Sequence, residues 1–407
     1  MNSDRSFHLS VTFNHFFKSE KAGGLLLIFC TLLSLLIANT GQGPAFIHFW
    51  HSGINLSFGT VSLDYSVEEW INDGWMTIFF LMVGLEIERE LYVGELSDVR
   101  NALLPLGAAI GGMLVPALIH LAFNLGEPTQ KGIGIPMATD IAFSLGILSL
   151  LGKRVPPALK IFLTALAIID DLGAIIVIAV FYTKGFSLVY LSLALGIFAI
   201  LFILNRLKVY VLWAYLLPGL LMWYFMLKSG VHATISGVLL AFVIPFAKDS
   251  AKSPSLRLQR GLHNLVNYLI LPVFALTNTC LRILPGWYRH LAYPNDLGII
   301  AGLVAGKPAG IFLFSWLAVK MNWCRLPRHV TWKKIFGSGI LAGVGFTMSI
   351  FITNLAFTSE ADLISDSKFA VLIASLTAGI AGWLTLRSAS RKPFPAGGSQ
   401  ELISPTD

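Results

Sequence analysis

The chain has 407 residues and a mass of 44.4 kDa, of which 55% are apolar and only 13% charged, with a mean hydropathy of +0.73. A soluble domain carries about 25% charged residues, so this balance excludes a soluble globular protein and requires lipid as the covering medium. The formal charge of +7 sits in short clusters between long apolar runs, which excludes a nucleic-acid groove, and Cys30, Cys280 and Cys324 are too scattered for a disulfide framework or a zinc site.

A membrane-spanning helix needs about 20 mostly apolar residues. Twelve such runs follow one another along the chain, at 23–40, 70–88, 102–124, 132–152, 157–182, 187–204, 209–227, 230–246, 263–281, 297–319, 335–357 and 368–386. They are numbered here as spans 1 to 12. The segment 1–22 is polar and aromatic, and no small-residue cleavage pattern follows span 1, so that span reads as retained. Between spans 1 and 2 the stretch Ile54-Asn-Leu-Ser-Phe-Gly59-Thr-Val-Ser-Leu-Asp64 alternates apolar and polar residues around a glycine, which predicts a small outer β-hairpin over 54–64. Its exposed edge could pair with a second copy and favour a homodimer, although the same residues also suit a solvated turn. The last stretch, 387–407, is rich in Pro, Gly and Ser and reads as a disordered tail. The expected fold is therefore an all-α polytopic membrane protein, with 23–386 as its membrane domain.

Orientation follows from the 29 Lys and Arg. With the N-terminus inside, 22 of them fall in inner segments and six in outer loops, while the last, Lys307, lies within span 10. A missed helix would invert every later loop, so this division supports twelve spans with both termini cytoplasmic.

Four ionisable residues lie deep in the apolar runs, where a charge costs several kcal/mol and is by default a functional candidate. Asp170 and Asp171 are adjacent in span 5, Asp140 follows Thr139 in span 4, and Lys307 lies in span 10. Neighbouring helix residues diverge by about 100°, so one basic partner rarely serves both members of the aspartate pair. Mutual repulsion and burial favour a proton on at least one of them, and carboxylate oxygens are the ligands that small hard cations such as Na⁺ prefer. Protons and a cation would then compete for the same oxygens. Lys307 reads either as the counter-ion of Asp170 or Asp171 or as a participant in the exchange.

Spans 4 and 11 are poor helices. Span 4 has Gly132, Gly134 and Pro136 ahead of Asp140; span 11 has Gly337, Gly339, Gly343 and Gly345. Interrupted spans in corresponding places of two halves point to two discontinuous helices that cross at a transporter site. Each break exposes helix ends whose partial charges need balancing. Asp140 suits exposed N-termini or direct ion contact, Lys307 suits exposed carbonyls, and the Thr139 hydroxyl suits either a cation or a backbone carbonyl.

Six stretches carry a family resemblance: Phe80-Leu-Met-Val-Gly-Leu-Glu-Ile-Glu-Arg-Glu90, Pro136-Met-Ala-Thr-Asp-Ile-Ala-Phe143, Ala167-Ile-Ile-Asp-Asp-Leu-Gly-Ala174, Gly230-Val-His-Ala-Thr234, Gly306-Lys-Pro308 and Gly343-Val-Gly-Phe-Thr-Met-Ser349. In these the chain resembles the NhaA family of bacterial Na⁺/H⁺ antiporters, over nearly its whole length. That family is itself among the transporters from which the broken-helix rule is drawn. The resemblance implies a fold with an inverted-topology repeat, and extrusion of Na⁺ or Li⁺ against protons, across the inner membrane, without a cofactor. It implies that Asp170 and Asp171 bind and exchange the ions with support from Asp140, Thr139 and Lys307, and that the hairpin helps to hold a dimer.

The resemblance also implies a pH sensor formed by Glu86, Glu90 and His263, and it extends to His232, which reads by itself as a packing or hydrogen-bonding histidine. One departure stands out. Family members with strong alkaline activation carry a Glu-His pair at the start of span 9, where this chain has Gln259 and Arg260, which predicts pH control with a shifted profile. Two rival classes fit less well. An intramembrane aspartyl protease needs its aspartates on separate helices with a Gly-x-Gly-Asp element, and a sodium-coupled organic-anion symporter would move no protons.

Overall fold

A computed structural model describes residues 22–390, apart from 58, 60, 61, 183, 184, 248–252, 328 and 359. The N-terminal segment 1–22, but for its last residue, and the tail from 391 onward lie outside the described residues. Helix occupies each of the twelve apolar runs. Among the described residues five helices are long and apolar enough to cross a membrane by themselves: Asn101–Asn124, Pro157–Phe181, Leu188–Arg206, Pro294–Lys320 and Ala361–Ala389. Leu188–Arg206 has only 11% of its most apolar window buried, so much of its Leu, Ile and Phe surface lies on the outside of the molecule.

Two spans are broken where Gly and Pro interrupt the sequence. Span 4 consists of the 3₁₀ segment Pro128–Met137 and the α-helix Ile141–Leu150, bent by 42°. Span 11 consists of Trp332–Ala342 and Phe346–Ala356, bent by 45°. A third bend, of 115°, turns the chain from Ala22–Ala38 into Gly43–His51, which leads to the hairpin. The hairpin itself is present: Gly53–Asn55 and Asp64–Ser66 pair antiparallel in the register Gly53↔Ser66, Ile54↔Tyr65 and Asn55↔Asp64. A capping box of Ser66 and Glu69 starts the following helical turn.

Two expectations shift. Span 8 was expected over 230–246, but its helix covers only the nine residues Ile235–Val243, about 13 Å at 1.5 Å per residue. The reason is local: Gly230 adopts φ +83, which ends Trp213–Ser229, and a turn intervenes before helix resumes. Span 9 starts earlier than its apolar run, at Pro254, with Ser253 capping the Leu256 amide. Pro254–Leu265 then runs through a π turn, Val266–Ile270, into Leu271–Asn278. A second π turn, Gly302–Gly306, precedes Lys307–Lys320. Each lies just ahead of a proline, Pro272 or Pro308, whose missing N–H disturbs the hydrogen-bond ladder of the turn before it.

The helices pack as two groups. In the first, Lys307–Lys320 lies along Val99–Asn124, which also contacts Pro157–Phe181, while Trp332–Ala342 packs against Ala361–Ala389. Gly111 and Gly310 make the first of these crossings possible, because a Cβ on either would collide with the other's carbonyl oxygen. In the second, Met76–Val93 packs against Ile235–Val243 and Pro254–Leu265, and Leu188–Arg206 against Trp213–Ser229. Leu81, Leu85, Leu201, Tyr215, Met222 and Leu240 form the apolar core of that group. The groups meet where Met76–Val93 touches Pro157–Phe181 and where Leu271–Asn278 touches Phe346–Ala356.

Candidate ion site at the two helix breaks

The non-helical links of spans 4 and 11 cross one another. The Asp140 amide donates to the Val344 carbonyl at 2.8 Å, the Ser144 hydroxyl to the Leu341 carbonyl at 3.1 Å, and the Ser349 hydroxyl to the Ile135 carbonyl at 2.6 Å. These bonds supply partners for backbone groups that the breaks release inside an apolar medium. Gly343 allows the close approach, since a Cβ there would strike the Leu303 carbonyl oxygen of span 10.

Asp140 caps both second halves. Its Oδ1 accepts the Phe143 amide at 2.8 Å at the start of its own helix, and its Oδ2 accepts the Thr347 amide at 3.1 Å and the Thr347 hydroxyl at the start of the other. One carboxylate therefore faces two positive helix ends, the arrangement that stabilises an anion there.

Asp170, Asp171 and Lys307 are each 0% exposed, so a charge on any of them must be balanced inside the protein. Lys307 Nζ lies 3.0 Å from Asp170 Oδ2 and also donates to the Met137 carbonyl, at the C-terminal end of Pro128–Met137. The same Asp170 oxygen accepts the Thr139 hydroxyl at 2.7 Å, while the Ala342 carbonyl lies 3.0 Å from that hydroxyl. A hydroxyl carries one hydrogen, so Thr139 can donate to only one of these acceptors at a time.

Asp171 differs from its neighbour. Both of its carboxylate oxygens, and Asp170 Oδ1, are buried and have no hydrogen-bond partner among the described residues. Buried polar atoms almost always find a partner, so three unpartnered carboxylate oxygens on adjacent residues make this pair the candidate site for a proton or a cation.

The remaining predicted residues lie elsewhere. At the end of span 2 away from the hairpin, Glu86 is buried and hydrogen-bonded by Gln259, Glu90 pairs with Arg89 at 2.9 Å, and His263 lies 3.2 Å from the Asn267 amide nitrogen. Spans 2 and 9 thus bring the three predicted sensor residues to one end of the molecule. Nε2 of His232 lies 2.9 Å from the Tyr182 carbonyl oxygen, about three helical turns along from Asp171, and so is not brought to the aspartates.

Several groups in these contacts carry little or no signal in the sequence. Thr347 stands in the first turn after the second break, where a hydroxyl commonly meets an anion or caps a helix, and that position was its available signal. The Met137 and Ala342 carbonyls carry no side-chain signal at all. Glu88, buried and bound by the Ser255 hydroxyl at 2.6 Å, was hidden between the more obvious Glu86 and Glu90.

Comparison with known proteins places this geometry in a family. Residues 14–386 match the family model described as Na⁺/H⁺ antiporter 1. The chain is 59% identical over 387 residues to the Na⁺/H⁺ antiporter NhaA of Dechloromonas aromatica, covering 94% of this chain and 97% of the relative. It is 56% identical over 379 residues to NhaA 1 of Flavobacterium johnsoniae, with 93% and 97% covered, and 48% identical over 377 residues to NhaA of Escherichia coli O6:H1, with 92% and 97% covered. The fold is similar to that of the sodium proton antiporter MjNhaP1 from Methanocaldococcus jannaschii at pH 8, with a TM-score of 0.56 at 14% identity over 95% of this chain and 99% of that one. On a match that spans nearly its full length, this chain belongs to the Na⁺/H⁺ antiporter 1 family.

Proposed function

We propose that the chain is an electrogenic Na⁺/H⁺ antiporter, a secondary transporter of the bacterial inner membrane that also accepts Li⁺ and expels either ion in exchange for external protons. The observation that carries this reading is Asp171, whose two buried oxygens have no hydrogen-bond partner among the described residues, beside the Lys307–Asp170 pair. In this reading 23–386 forms the transporter domain, both termini are cytoplasmic, and two copies associate through the hairpin.

The site works by competition. Facing the cytoplasm, Asp171 and Asp170 are ionised and their free oxygens take Na⁺. Facing outward, protons take the two carboxylates and Na⁺ leaves. A proton arriving on Asp170 Oδ2 can be donated to the Thr139 oxygen, and Thr139 then turns its own hydrogen to the Ala342 carbonyl. Loading of the site is thereby reported to the break in span 11. Lys307 supplies the balancing charge when the pair is ionised, while Asp140 holds the two helix starts together throughout. Two protons exchanged for one Na⁺ move one net charge, and the membrane potential then contributes about 2.3 kcal/mol per 100 mV. Glu86, Glu90 and His263 adjust the pH at which the cycle starts, with Gln259 in place of a titrating partner.

The test is Na⁺-induced collapse of a proton gradient in everted vesicles between about pH 6.5 and 8.5, with K⁺ as control and pH values spanning the ordinary histidine range. A response to Na⁺ and Li⁺ that rises with pH supports the reading. Wild-type-like Na⁺-driven proton movement in Asp171→Asn would sink it.

A further inference from the structure

At the hairpin end of the molecule, polar side chains from five segments form one connected network away from the ion site. Its centre is Asn278, 1% exposed, at the end of Leu271–Asn278. Asn278 Oδ1 accepts from Asn354 Nδ2 at 2.6 Å and from Lys368 Nζ at 3.3 Å. Asn278 Nδ2 donates to Asn72 Oδ1 at 2.9 Å and to the Phe274 carbonyl at 3.1 Å. Lys368 is itself only 5% exposed, and its one carboxylate neighbour in this network, Glu68, lies further off at 3.8 Å. Glu68 in turn lies 3.3 Å from His51.

The two bonds to Asn278 Oδ1 share a property. Asn72 lies in the π segment Trp70–Trp75, which runs directly into Met76–Val93 and touches Leu271–Asn278, so Asn72 and Asn278 belong to the group of Met76–Val93, whereas Phe346–Ala356 and Ala361–Ala389, which carry Asn354 and Lys368, pack on each other in the group that holds Asp140, Asp170, Asp171 and Lys307. Both bonds therefore cross between the groups. Along Phe346–Ala356, Thr347, Phe351 and Asn354 fall at i, i+4 and i+7, one face of the helix. That face runs from the Asp140 contact, through Phe351 packed 5.3 Å from Phe80 and 6.4 Å from Phe274, to the amide at Asn278. Ion site, aromatic layer and amide network are stacked in that order towards the hairpin.

We propose that Asn278 closes a gate at this end, and that its two bonds to Asn354 and Lys368 break and re-form in every transport cycle. The proposal rests on the alternating-access reading above. An amide suits the task because its bonds exchange readily with water. A carboxylate at the same position would make a buried ion pair with Lys368, which resists separation. Lys368 completes the gate as a fixed cation on the outward side of the aromatic layer.

Two experiments in proteoliposomes test this. In a chain whose three cysteines are replaced by serine, Asn278→Cys and Asn354→Cys are introduced together and oxidised to a disulfide. Oxidation is expected to slow Na⁺-driven proton movement at least tenfold, reversibly with dithiothreitol, while ²²Na⁺ binding in detergent is retained; an unchanged rate in verified cross-linked protein overturns the gate. Asn278→Asp decides the matter should the cysteine pair be inactive before oxidation. It is expected to cut turnover at saturating Na⁺ at least tenfold without weakening ²²Na⁺ binding, and Lys368→Met added to it should restore turnover. Wild-type turnover in Asn278→Asp, loss of binding, or no rescue would each refute the proposal. Failure of the antiport reading is distinguishable, since it would appear as absent proton movement in the wild-type protein.

Discussion

Lys307 and Asp170 form an ion pair of 3.0 Å in which neither side chain is exposed, and Asp171, one residue on, takes no part in it. Adjacent aspartates thus have different surroundings. Asp170 is held by Lys307 and Thr139, while Asp171 keeps both oxygens available.

Removing one member of the pair should be worse than removing both. Lys307→Ala leaves a buried carboxylate uncompensated, a loss of about 3–5 kcal/mol. Lys307→Ala with Asp170→Asn should be less destabilised than Lys307→Ala alone, by the logic of a double-mutant cycle. Thermal unfolding in detergent measures this, and additive losses would show that the two charges are not coupled.

Thr139 should separate hydrogen bonding from size. Thr139→Ser keeps the hydroxyl and is expected to retain transport. Thr139→Val removes the donor shared by Asp170 and the Ala342 carbonyl, and should raise the Na⁺ concentration for half-maximal rate by about tenfold, equivalent to one charge-assisted bond of about 1.4 kcal/mol. Equal kinetics for the two variants would remove Thr139 from the site.

Thr347→Val deletes the hydroxyl bond to Asp140 but leaves the amide bond, so it should cost about 1.5–3 kcal/mol of stability, while Thr347→Ser should cost little. The readout is again the unfolding midpoint. A Val variant as stable as the wild type would mean that Asp140 is held by backbone amides alone.

Proton competition fixes the sign of the pH effect. Carboxylates must be ionised to take Na⁺, so the Na⁺ concentration for half-maximal rate should fall as pH rises and then level off. Imposing a negative interior potential should accelerate sodium extrusion if more protons enter than sodium leaves. Flux measured under potassium–valinomycin clamps checks this; rates indifferent to potential would require one-for-one exchange.

Much of the site was legible because lipid makes charges conspicuous. Asp140, Asp170, Asp171 and Lys307 could be picked out by the cost of placing them in apolar runs, and the two breaks by their glycines and Pro136. The choice of Asp170 over Asp171 as the partner of Lys307 was not legible. It depends on how span 10 is carried past span 3 at Gly111 and Gly310, a matter of backbone approach between distant segments. Nor were the Met137 and Ala342 carbonyls, because any residue supplies a carbonyl and only the break directs it. Span 8 was overestimated for a related reason: its apolar run continues across a turn that hydropathy does not register.

The π turn Gly302–Gly306 gives span 10 two phases. A π turn takes up one residue more than an α turn, so every side chain beyond it is rotated by about 100° from where an uninterrupted helix would aim it. Lys307 is the first residue past that change of phase. Tightening this turn into a regular α-helix with all of its residues kept would leave the composition and hydropathy of the span unchanged, yet swing the ammonium about 100° away from Asp170. The pairing of this buried charge is therefore set by an irregularity of a single backbone turn, and a regular helix of the same sequence would aim it elsewhere.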